Sequence, residues 1–306
     1  MQACCRLFLL ALLAVFVRPA VAAEADFATP FPDKRQVAVH LWTPDGGETL
    51  EYLVILLPGF NGDWRAQAND PAWRAFATAH HCGLLGCFLT GDTGGAYARA
   101  SLWSGKALLH AIDVVAEQAG HPELGRAPLL LWGFSAGGQF DFNFAAWQPQ
   151  RVAAFLVNKG AYYDPANSSG IDRVPGLFAV GGNDTALRHD NITRLFAEGR
   201  RHNAPWSLAV EPGRGHEVGG TEELGRAFFA AILARRAGTA PDAPWGGVLA
   251  DHTISPLDAV PGAVKPADLA WLPDETFAHA WQAAVAGSAA SSPATTAPAE
   301  EEPPQP

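Results

Sequence analysis

Hydrophobic residues along the chain follow two patterns that alternate. Short, nearly uninterrupted apolar runs are typical of strands that a sheet buries on both faces. These runs cover residues 37–42, 52–57, 86–90, 128–132, 152–158, 176–180 and 206–210. Longer segments with helical spacing cover residues 71–81, 98–119, 136–147, 191–202 and 221–236. The alternation predicts one α/β domain with a mostly parallel sheet that helices cover on both faces.

The two ends of the chain fall outside this pattern. Arg6 precedes an uncharged run of 11 residues at 7–17, and small residues at 20–23 have the spacing that signal peptidase recognises. A membrane span needs about 20 apolar residues. We therefore expect a signal peptide over residues 1–23, no membrane anchor, and a secreted or periplasmic protein. Residues 286–306 are mostly Ala, Ser, Thr, Pro and Glu, which predicts a disordered tail.

The α/β domain is then expected over residues 24–285, and its last part differs from the rest. From about residue 237 the alternation ends, and we call residues 237–285 the C-terminal strap. Its tryptophans, Trp245, Trp271 and Trp281, would be unfavourable in water, so we expect it to pack on the body. Residues 271–273 predict a turn and residues 276–285 a short helix. The strap is either purely structural or also lines the substrate pocket.

Charge and cysteine content narrow the classes of partner. The net charge of −10 becomes −12 once Arg6 and Arg18 leave with the signal peptide (−10 − 2). An acidic protein repels phosphate backbones, so a nucleic-acid partner is not expected. Processing leaves Cys82 and Cys87, which either form a disulfide or lie buried as small hydrophobic residues. No metal-ligand spacing and no nucleotide-binding glycine motif occurs, so no cofactor is expected.

The strongest chemical signal surrounds Ser135. Residues 133–137 read Gly-Phe-Ser-Ala-Gly, directly after the apolar run at 128–132 and at the start of the helical segment at 136–147. In this context G-x-S-x-G forms a strained strand-to-helix turn that presents the serine hydroxyl. An ordinary Gly/Ser turn would not explain the buried strand before it. Ser135 is therefore the predicted nucleophile.

A serine nucleophile needs a base, and the base needs an orienting acid. His216 lies in a glycine-rich loop after the last predicted strand, whereas the other histidines precede Ser135, lie in or beside helices, or fall beyond the alternating core. Asp184 directly follows the run at 176–180, which gives the chain order Ser, Asp, His. Three other carboxylates between Ser135 and His216 compete for the acid role: Asp164, Asp172 and Asp190.

Acyl transfer also needs hydrogen-bond donors for the oxyanion that forms on the carbonyl oxygen. One predicted donor is the backbone N–H of Ala136, the residue after the nucleophile. The second is expected from the loop after the run at 52–57. We predict the N–H of Phe60, with Asn61 as the alternative.

Four segments together resemble the α/β-hydrolase superfamily: Leu-Pro-Gly-Phe at 57–60, Gly-Phe-Ser-Ala-Gly-Gly-Gln-Phe at 133–140, Gly-Asn-Asp at 182–184 and Gly-His at 215–216. The resemblance covers about residues 37–236. Within the superfamily, the chain is most similar to compact secreted esterases: feruloyl and acetylxylan esterases, dienelactone-hydrolase-like proteins and polyhydroxybutyrate-depolymerase-like proteins. It departs from many of them at Pro58-Gly59, where they carry His-Gly.

The resemblance implies the α/β-hydrolase fold and a Ser-His-Asp esterase that works through an acyl-enzyme. The segment between the runs ending at 158 and starting at 176 has 17 residues (175 − 158), so no large lid is expected. An open site favours short acyl esters, either small molecules or esters linked to polysaccharide. The alternatives are a polyester depolymerase or a serine peptidase on the same fold, or a catalytically silent binding protein.

Overall fold

The computed structural model describes residues 22–30, 35–91, 96–163 and 170–287. The predicted signal peptide up to residue 21 and the predicted tail from residue 288 lie outside this part of the chain. The strands of the main sheet are β1 (Glu24–Pro30), β2 (Gln36–Trp42), β3 (Tyr52–Leu57), β4 (Cys82–Thr90), β5 (Leu129–Phe134), β6 (Val152–Asn158), β7 (Gly176–Gly181) and β8 (Trp206–Glu211). The helices are α1 (Pro71–Ala79), α2 (Ser104–Ala119), α3 (Ala136–Trp147), α4 (Ala186–Arg201), α5 (Thr221–Arg236) and α6 (Glu275–Val285).

The eight strands lie in the order β1-β2-β4-β3-β5-β6-β7-β8. The six strands from β4 to β8 in this order run parallel, and β1 and β2 are antiparallel to their neighbours. The predicted fold class, a mostly parallel sheet within an α/β domain, is confirmed. Because the parallel strands share one direction, the residues that follow them meet at a single edge of the sheet.

Two separate hydrophobic clusters cover the two faces of the sheet. Neighbouring residues of β5 belong to different clusters: Leu131 packs with α2, α3 and α4, and Trp132 packs with α1, α5 and α6. All residues of β5 and β6 are buried. This burial on both faces explains why these strands are nearly continuous apolar runs rather than alternating ones.

The structure also differs from the expected elements. β1 was not predicted, because its sequence mixes polar and apolar residues and it lies at the edge of the sheet with little burial. The turn predicted at residues 271–273 is wrong: Trp271 and Leu272 belong to a strand, which ends before Pro273. That strand, β11 (Leu269–Leu272), joins β9 (Trp245–Val248) and β10 (Ile254–Pro256) in a three-stranded antiparallel sheet within the C-terminal strap.

The strap packs against β8 and the helices beside it. The indole of Trp281 is fully buried and donates a hydrogen bond to the carbonyl oxygen of Leu208, at 2.7 Å. Arg200 of α4 donates to the carbonyl oxygen of Leu269, at 2.8 Å. The rings of Phe228 and Phe277 lie 5.2 Å apart across the contact between α5 and α6. The strap therefore covers one face of the core near the edge strand.

Ending the chain at Arg236 should leave this core exposed. Each large apolar side chain that loses its cover costs about 1.5–3 kcal/mol, and Phe228, which packs on Phe277 of the strap, is among them. We expect the truncated protein to be insoluble or to lose its cooperative thermal transition, measured by soluble yield and circular dichroism. A chain ending at Gly287 is the matched control and should melt like the full protein. A soluble 1–236 protein with an unchanged Tm would contradict this role of the strap.

Cys82 and Cys87 are free and buried in the same strand, β4. Cys82 packs in the cluster with α1, and Cys87 in the cluster on the opposite face. Five residues along a strand correspond to roughly 16 Å, far beyond the ~7 Å between Cα atoms that a disulfide allows. Burial raises the pKa of Cys82 to about 12. The two cysteines are therefore small buried hydrophobic residues, not a disulfide.

Candidate active site

The turn between β5 and α3 carries Ser135 in a strained conformation. Its backbone has φ 52° and ψ −117°, a region that is unfavourable for any residue with a Cβ. The Ser135 N–H donates to the carbonyl oxygen of Asn158 at the end of β6, at 2.7 Å, and the Ser135 carbonyl accepts from the N–H of Gln139, at 3.1 Å. These bonds hold the turn in a conformation that the residue alone would not adopt.

Two glycines allow this turn to form. A Cβ on Gly133 would lie 2.4 Å from the carbonyl carbon of Gly137, which no side chain tolerates. A Cβ on Gly137 would lie 2.4 Å from the carbonyl oxygen of Leu57 and 2.5 Å from that of Pro58. The first turn of α3 thus packs backbone to backbone against the end of β3 and the loop that follows it.

The structure brings the three residues of the predicted triad together at the carboxyl edge of the sheet. His216 Nε2 lies 3.0 Å from Ser135 Oγ, and His216 Nδ1 lies 3.1 Å from Asp184 Oδ2. Ser135 follows β5, Asp184 follows β7 and His216 follows β8. An imidazole that donates from Nδ1 to the carboxylate leaves Nε2 free to accept the hydroxyl proton of Ser135.

The carboxylate of Asp184 is suited to remain ionised. Its side chain is only 1% exposed, and burial by itself would raise its pKa. The hydrogen bonds from His216 and from the N–H of Thr185, together with the guanidinium of Arg188 at 3.7 Å, outweigh burial and lower the pKa of Asp184 below its usual value. A buried carboxylate in this state can stabilise an imidazolium on His216.

Neither of the two competing carboxylates that the structure describes contacts His216. Asp172 Oδ2 is 3.5 Å from Nδ1 of His202, a histidine at the end of α4. Asp190 lies within α4 with its side chain exposed. Asp164 falls outside the described residues. Of the described candidates, Asp184 is the one that contacts His216.

The loop after β3 lies beside the start of α3, where Ala136 is the first helical residue. The first N–H groups of a helix have no partner within the helix and carry partial positive charge. Phe60 is half-buried and its ring stacks on Tyr97 at 6.3 Å, while Asn61 adopts φ 58° in the same loop. Both candidate donors therefore sit in the loop that borders Ala136. The choice of Phe60 over Asn61 stays a prediction.

Phe134, to which the sequence alone gives no catalytic role, lies next to His216, and Trp64 lies next to Phe134. The ring of Phe134 lies 5.0 Å from the imidazole of His216, and the indole of Trp64 lies 6.4 Å from Phe134. The two rings are inclined by 31° to each other, so Phe134 packs against the imidazole and can orient it. The available signal was its place in the G-x-S-x-G motif, directly before Ser135.

Three buried polar residues at the same edge were also missed: Asn158, Lys159 and Glu211. Each stands at or directly after the carboxyl end of a strand, where an apolar run ends in a polar residue. That position was the available signal.

Neither a metal site nor a membrane-spanning helix occurs among the described residues. No group of three or more His, Cys, Asp or Glu side chains among them could hold a metal ion. No helix in this part of the chain is long and apolar enough to cross a membrane. The connection between β6 and β7 includes residues 164–169, which are not described, so the lack of a large lid stays a prediction.

Comparison with known proteins gives structural but not sequence matches. No protein-family model matches the sequence, and a search of curated proteins finds no match. The structure is similar to an S-formylglutathione hydrolase from Staphylococcus aureus, with TM-score 0.51, 16% identity, and coverage of 71% of this chain and 98% of that one. It is also similar to an esterase from Pyrococcus furiosus, with TM-score 0.50, 13% identity, and coverage of 70% and 93%.

At such identities the likeness concerns the fold. The sheet order with antiparallel strands at one edge, the helices on both faces and the glycine-flanked turn at Ser135 agree with it. This chain has the α/β-hydrolase fold.

Proposed function

We propose that the protein is a serine hydrolase that cleaves carboxylic esters. The observation that carries the proposal is the continuous hydrogen-bonded relay from Ser135 through His216 to Asp184. A buried, ionised carboxylate, a correctly oriented imidazole and a hydroxyl on a strained turn are the groups that nucleophilic acyl transfer requires. The relay argues against the catalytically silent alternative, since a binding protein would not need it.

In the first half of the reaction, Ser135 Oγ attacks the ester carbonyl carbon while its proton passes to His216 Nε2. The carbonyl oxygen becomes an oxyanion, which the N–H groups of Ala136 and Phe60 stabilise. The carbon–oxygen bond to the alcohol then breaks, and the proton on Nε2 moves to the leaving alcohol. An acyl group remains on Ser135.

In the second half, water replaces the alcohol. His216 Nε2 takes a proton from the water as its oxygen attacks the acyl carbon, and the same proton then returns to Ser135 Oγ as the acid leaves. Asp184 remains ionised throughout and holds the Nδ1–H tautomer. No metal or cofactor takes part in these steps.

The surroundings of the relay favour an ester with a bulky apolar part. Among the described residues, the large hydrophobic side chains that are most exposed are Leu102, Tyr162 and Leu187. They lie in the connections that leave β4, β6 and β7 at the carboxyl edge of the sheet, the edge that carries Ser135. We call them the apolar rim, and it offers contact area outside the catalytic residues.

A short acyl group on a bulky alcohol fits this arrangement, because the bulky part can lie on the open rim. We expect the highest kcat/KM with p-nitrophenyl esters of C2 to C4 acids and no interfacial activation. A series from C2 to C12, measured below and above the micelle threshold, checks this. A preference for C12, or a jump in rate above that threshold, would overturn the open-site interpretation.

The apolar rim also fits a polyester chain, so a polyester depolymerase is the second candidate. The two are separated by incubating the protein with poly(3-hydroxybutyrate) film and with p-nitrophenyl butyrate. Release of soluble hydroxybutyrate oligomers at a rate comparable to that of the small ester would favour the depolymerase. Turnover of the small ester alone would favour the esterase.

The proposal as a whole is tested with a serine-directed phosphonate. We expect p-nitrophenyl acetate hydrolysis to stop as one phosphonyl group attaches to each chain, with peptide mass spectrometry placing it on Ser135. The Ser135→Ala protein should neither react nor turn over. A folded protein with no turnover and no labelling would instead be a silent binding protein.

We further propose that the protein works outside the cytoplasm. The support is the pattern of residues 1–23, namely a basic residue, an apolar run and small residues at the cleavage position. N-terminal sequencing of the protein recovered from a bacterial periplasm or culture medium tests this. A mature chain that begins at residue 23 or 24 is the expected result.

A further inference from the structure

A buried polar cluster lies beside the triad and takes no part in the proton relay. It consists of Asn158, which ends β6, Lys159, which follows it, and Glu211, which ends β8. Asn158 and Lys159 have no exposed surface and Glu211 is 7% exposed. We call these three residues the clamp cluster. Buried groups of this kind must find partners, and their partners identify what the cluster holds.

Glu211 joins the two ends of the loop that carries His216. It is the last residue before this loop, and its Oε1 accepts a hydrogen bond from the N–H of Gly220, nine residues later, at 2.7 Å. Its other oxygen, Oε2, accepts a hydrogen bond from the ammonium of Lys159. The carboxylate therefore links the two ends of the loop that carries His216, and it bonds these ends to the residue that follows β6.

Asn158 connects the same loop to the nucleophile. Its amide nitrogen donates to the carbonyl oxygen of Val218, at 2.9 Å, and to Thr221 Oγ1, at 2.6 Å. Its backbone carbonyl accepts the N–H of Ser135, at 2.7 Å. One residue thus contacts both the strained turn at Ser135 and the far end of the loop with His216.

The loop with the acid belongs to the same network. The N–H of Gly182 donates to the carbonyl oxygen of Glu211, at 2.9 Å, and the N–H of Asn183 donates to that of Arg214, at 2.8 Å. The segments that carry Ser135, Asp184 and His216 are therefore bonded to each other directly or through the clamp cluster.

The cluster carries two energetic costs, and an apolar replacement of its charged side chains would avoid the second. Lys159 has φ 57°, a region that is unfavourable for a side chain of its kind. Burial lowers the pKa of Lys159, and the attraction of Glu211, with smaller contributions from Asp184 and Glu217, opposes this. A buried ion pair is often no more stabilising than apolar residues of the same volume. Stability alone does not explain why it stands at this position.

We propose that Asn158, Lys159 and Glu211 are positioning residues that fix the loop of His216 relative to Ser135. The cluster sets the distance and angle between Nε2 and Oγ, and it acts through the loop rather than on the substrate. This inference rests on the proposed serine hydrolase function. A misplacement of about 1 Å in such a pair can cost on the order of 100-fold in rate.

The decisive variant is the double substitution Lys159→Met/Glu211→Met, which removes both charges at similar volume. We expect a Tm equal to or above that of the wild type and a kcat lower by about 10- to 100-fold with little change in KM. The rate constant for labelling by a serine-directed phosphonate should fall by a similar factor. The final stoichiometry should stay at one label per chain, because every chain is folded.

A purely structural role gives a different result in the same assay. Fewer chains would then be labelled, each at the wild-type rate constant. Arg200→Met is the matched control, since Arg200 is also buried but bonds to the strap. It should lower Tm and leave the labelling rate constant unchanged.

Two outcomes would overturn the proposal: a double variant that labels at the wild-type rate constant, or one that loses only stoichiometry. Should the double variant be insoluble, Glu211→Gln, which has the same shape, supplies the test with the same expected slowing and the same contrary results. Failure of the proposed function looks different, because the wild-type protein itself would then neither label nor turn over.

Discussion

Ser135→Ala should lower kcat for p-nitrophenyl acetate by on the order of 10⁴-fold or more. The substitution removes the Oγ atom, which lies 3.0 Å from His216 Nε2, and with it the only atom proposed to form a bond to the acyl group. The backbone needs no change, because alanine meets the same φ of 52° that serine already tolerates. We therefore expect a Tm within a few degrees of the wild type.

Ser135→Gly is the control that separates strain from chemistry. Glycine adopts positive φ without the Cβ penalty, although it also adds freedom to the unfolded chain. We expect this variant to be as inactive as Ser135→Ala and at least as stable. An alanine variant that keeps more than about 1% of the wild-type kcat would show that another residue is the nucleophile.

The sheet and the order of the triad could be predicted because both follow from patterns of residues that are close together in the sequence. The apolar run that ends at Trp132, the turn at Ser135 and the helical face with Phe140 and Phe144 lie within 20 residues of sequence. The chain order of Asp184 and His216 then follows from the strands that precede them. Such signals do not depend on knowing which strands are neighbours in the sheet.

The clamp cluster could not be predicted for the opposite reason. Asn158 and Glu211 end β6 and β8, which lie on either side of β7 in the sheet, and are 53 residues apart in sequence (211 − 158). Each is a single polar residue after an apolar run, and nothing local pairs it with the other. Lys159 bridges them by donating to Asn158 Oδ1 and to Glu211 Oε2, and it can do so only because β6 and β8 flank the same strand.

Cys82 and Cys87 show how the residue at which a strand begins determines whether two cysteines can form a disulfide. The run expected at residues 86–90 placed Cys82 before the strand, where a turn could bring it to Cys87. In the structure β4 begins at Cys82, so the pair is separated by five positions of extended chain. An odd spacing within a strand places side chains on opposite faces, which excludes the disulfide. The same holds for β11: the sequence predicts a turn over residues 271–273, whereas the strand continues to Leu272 and ends before Pro273.

Asp184→Asn should lower kcat by about 10³- to 10⁴-fold with little change in KM. The asparagine amide can donate a hydrogen bond to His216 Nδ1, which favours the tautomer with its proton on Nε2. That nitrogen would then point a proton at Ser135 Oγ and could not accept one. The variant also loses the negative charge that stabilises the imidazolium. Steady-state kinetics with p-nitrophenyl acetate measure the effect.

Asp190→Asn is the matched control, because it makes the same chemical change at an exposed carboxylate on α4. We expect it to alter kcat less than about twofold, as surface substitutions away from special features have small effects. Rates for both variants should be compared at equal folded fraction, determined by circular dichroism. If Asp190→Asn abolishes activity while Asp184→Asn retains it, the hydrogen bond between Asp184 and His216 is not the catalytic one, and the acid must be assigned to α4 instead.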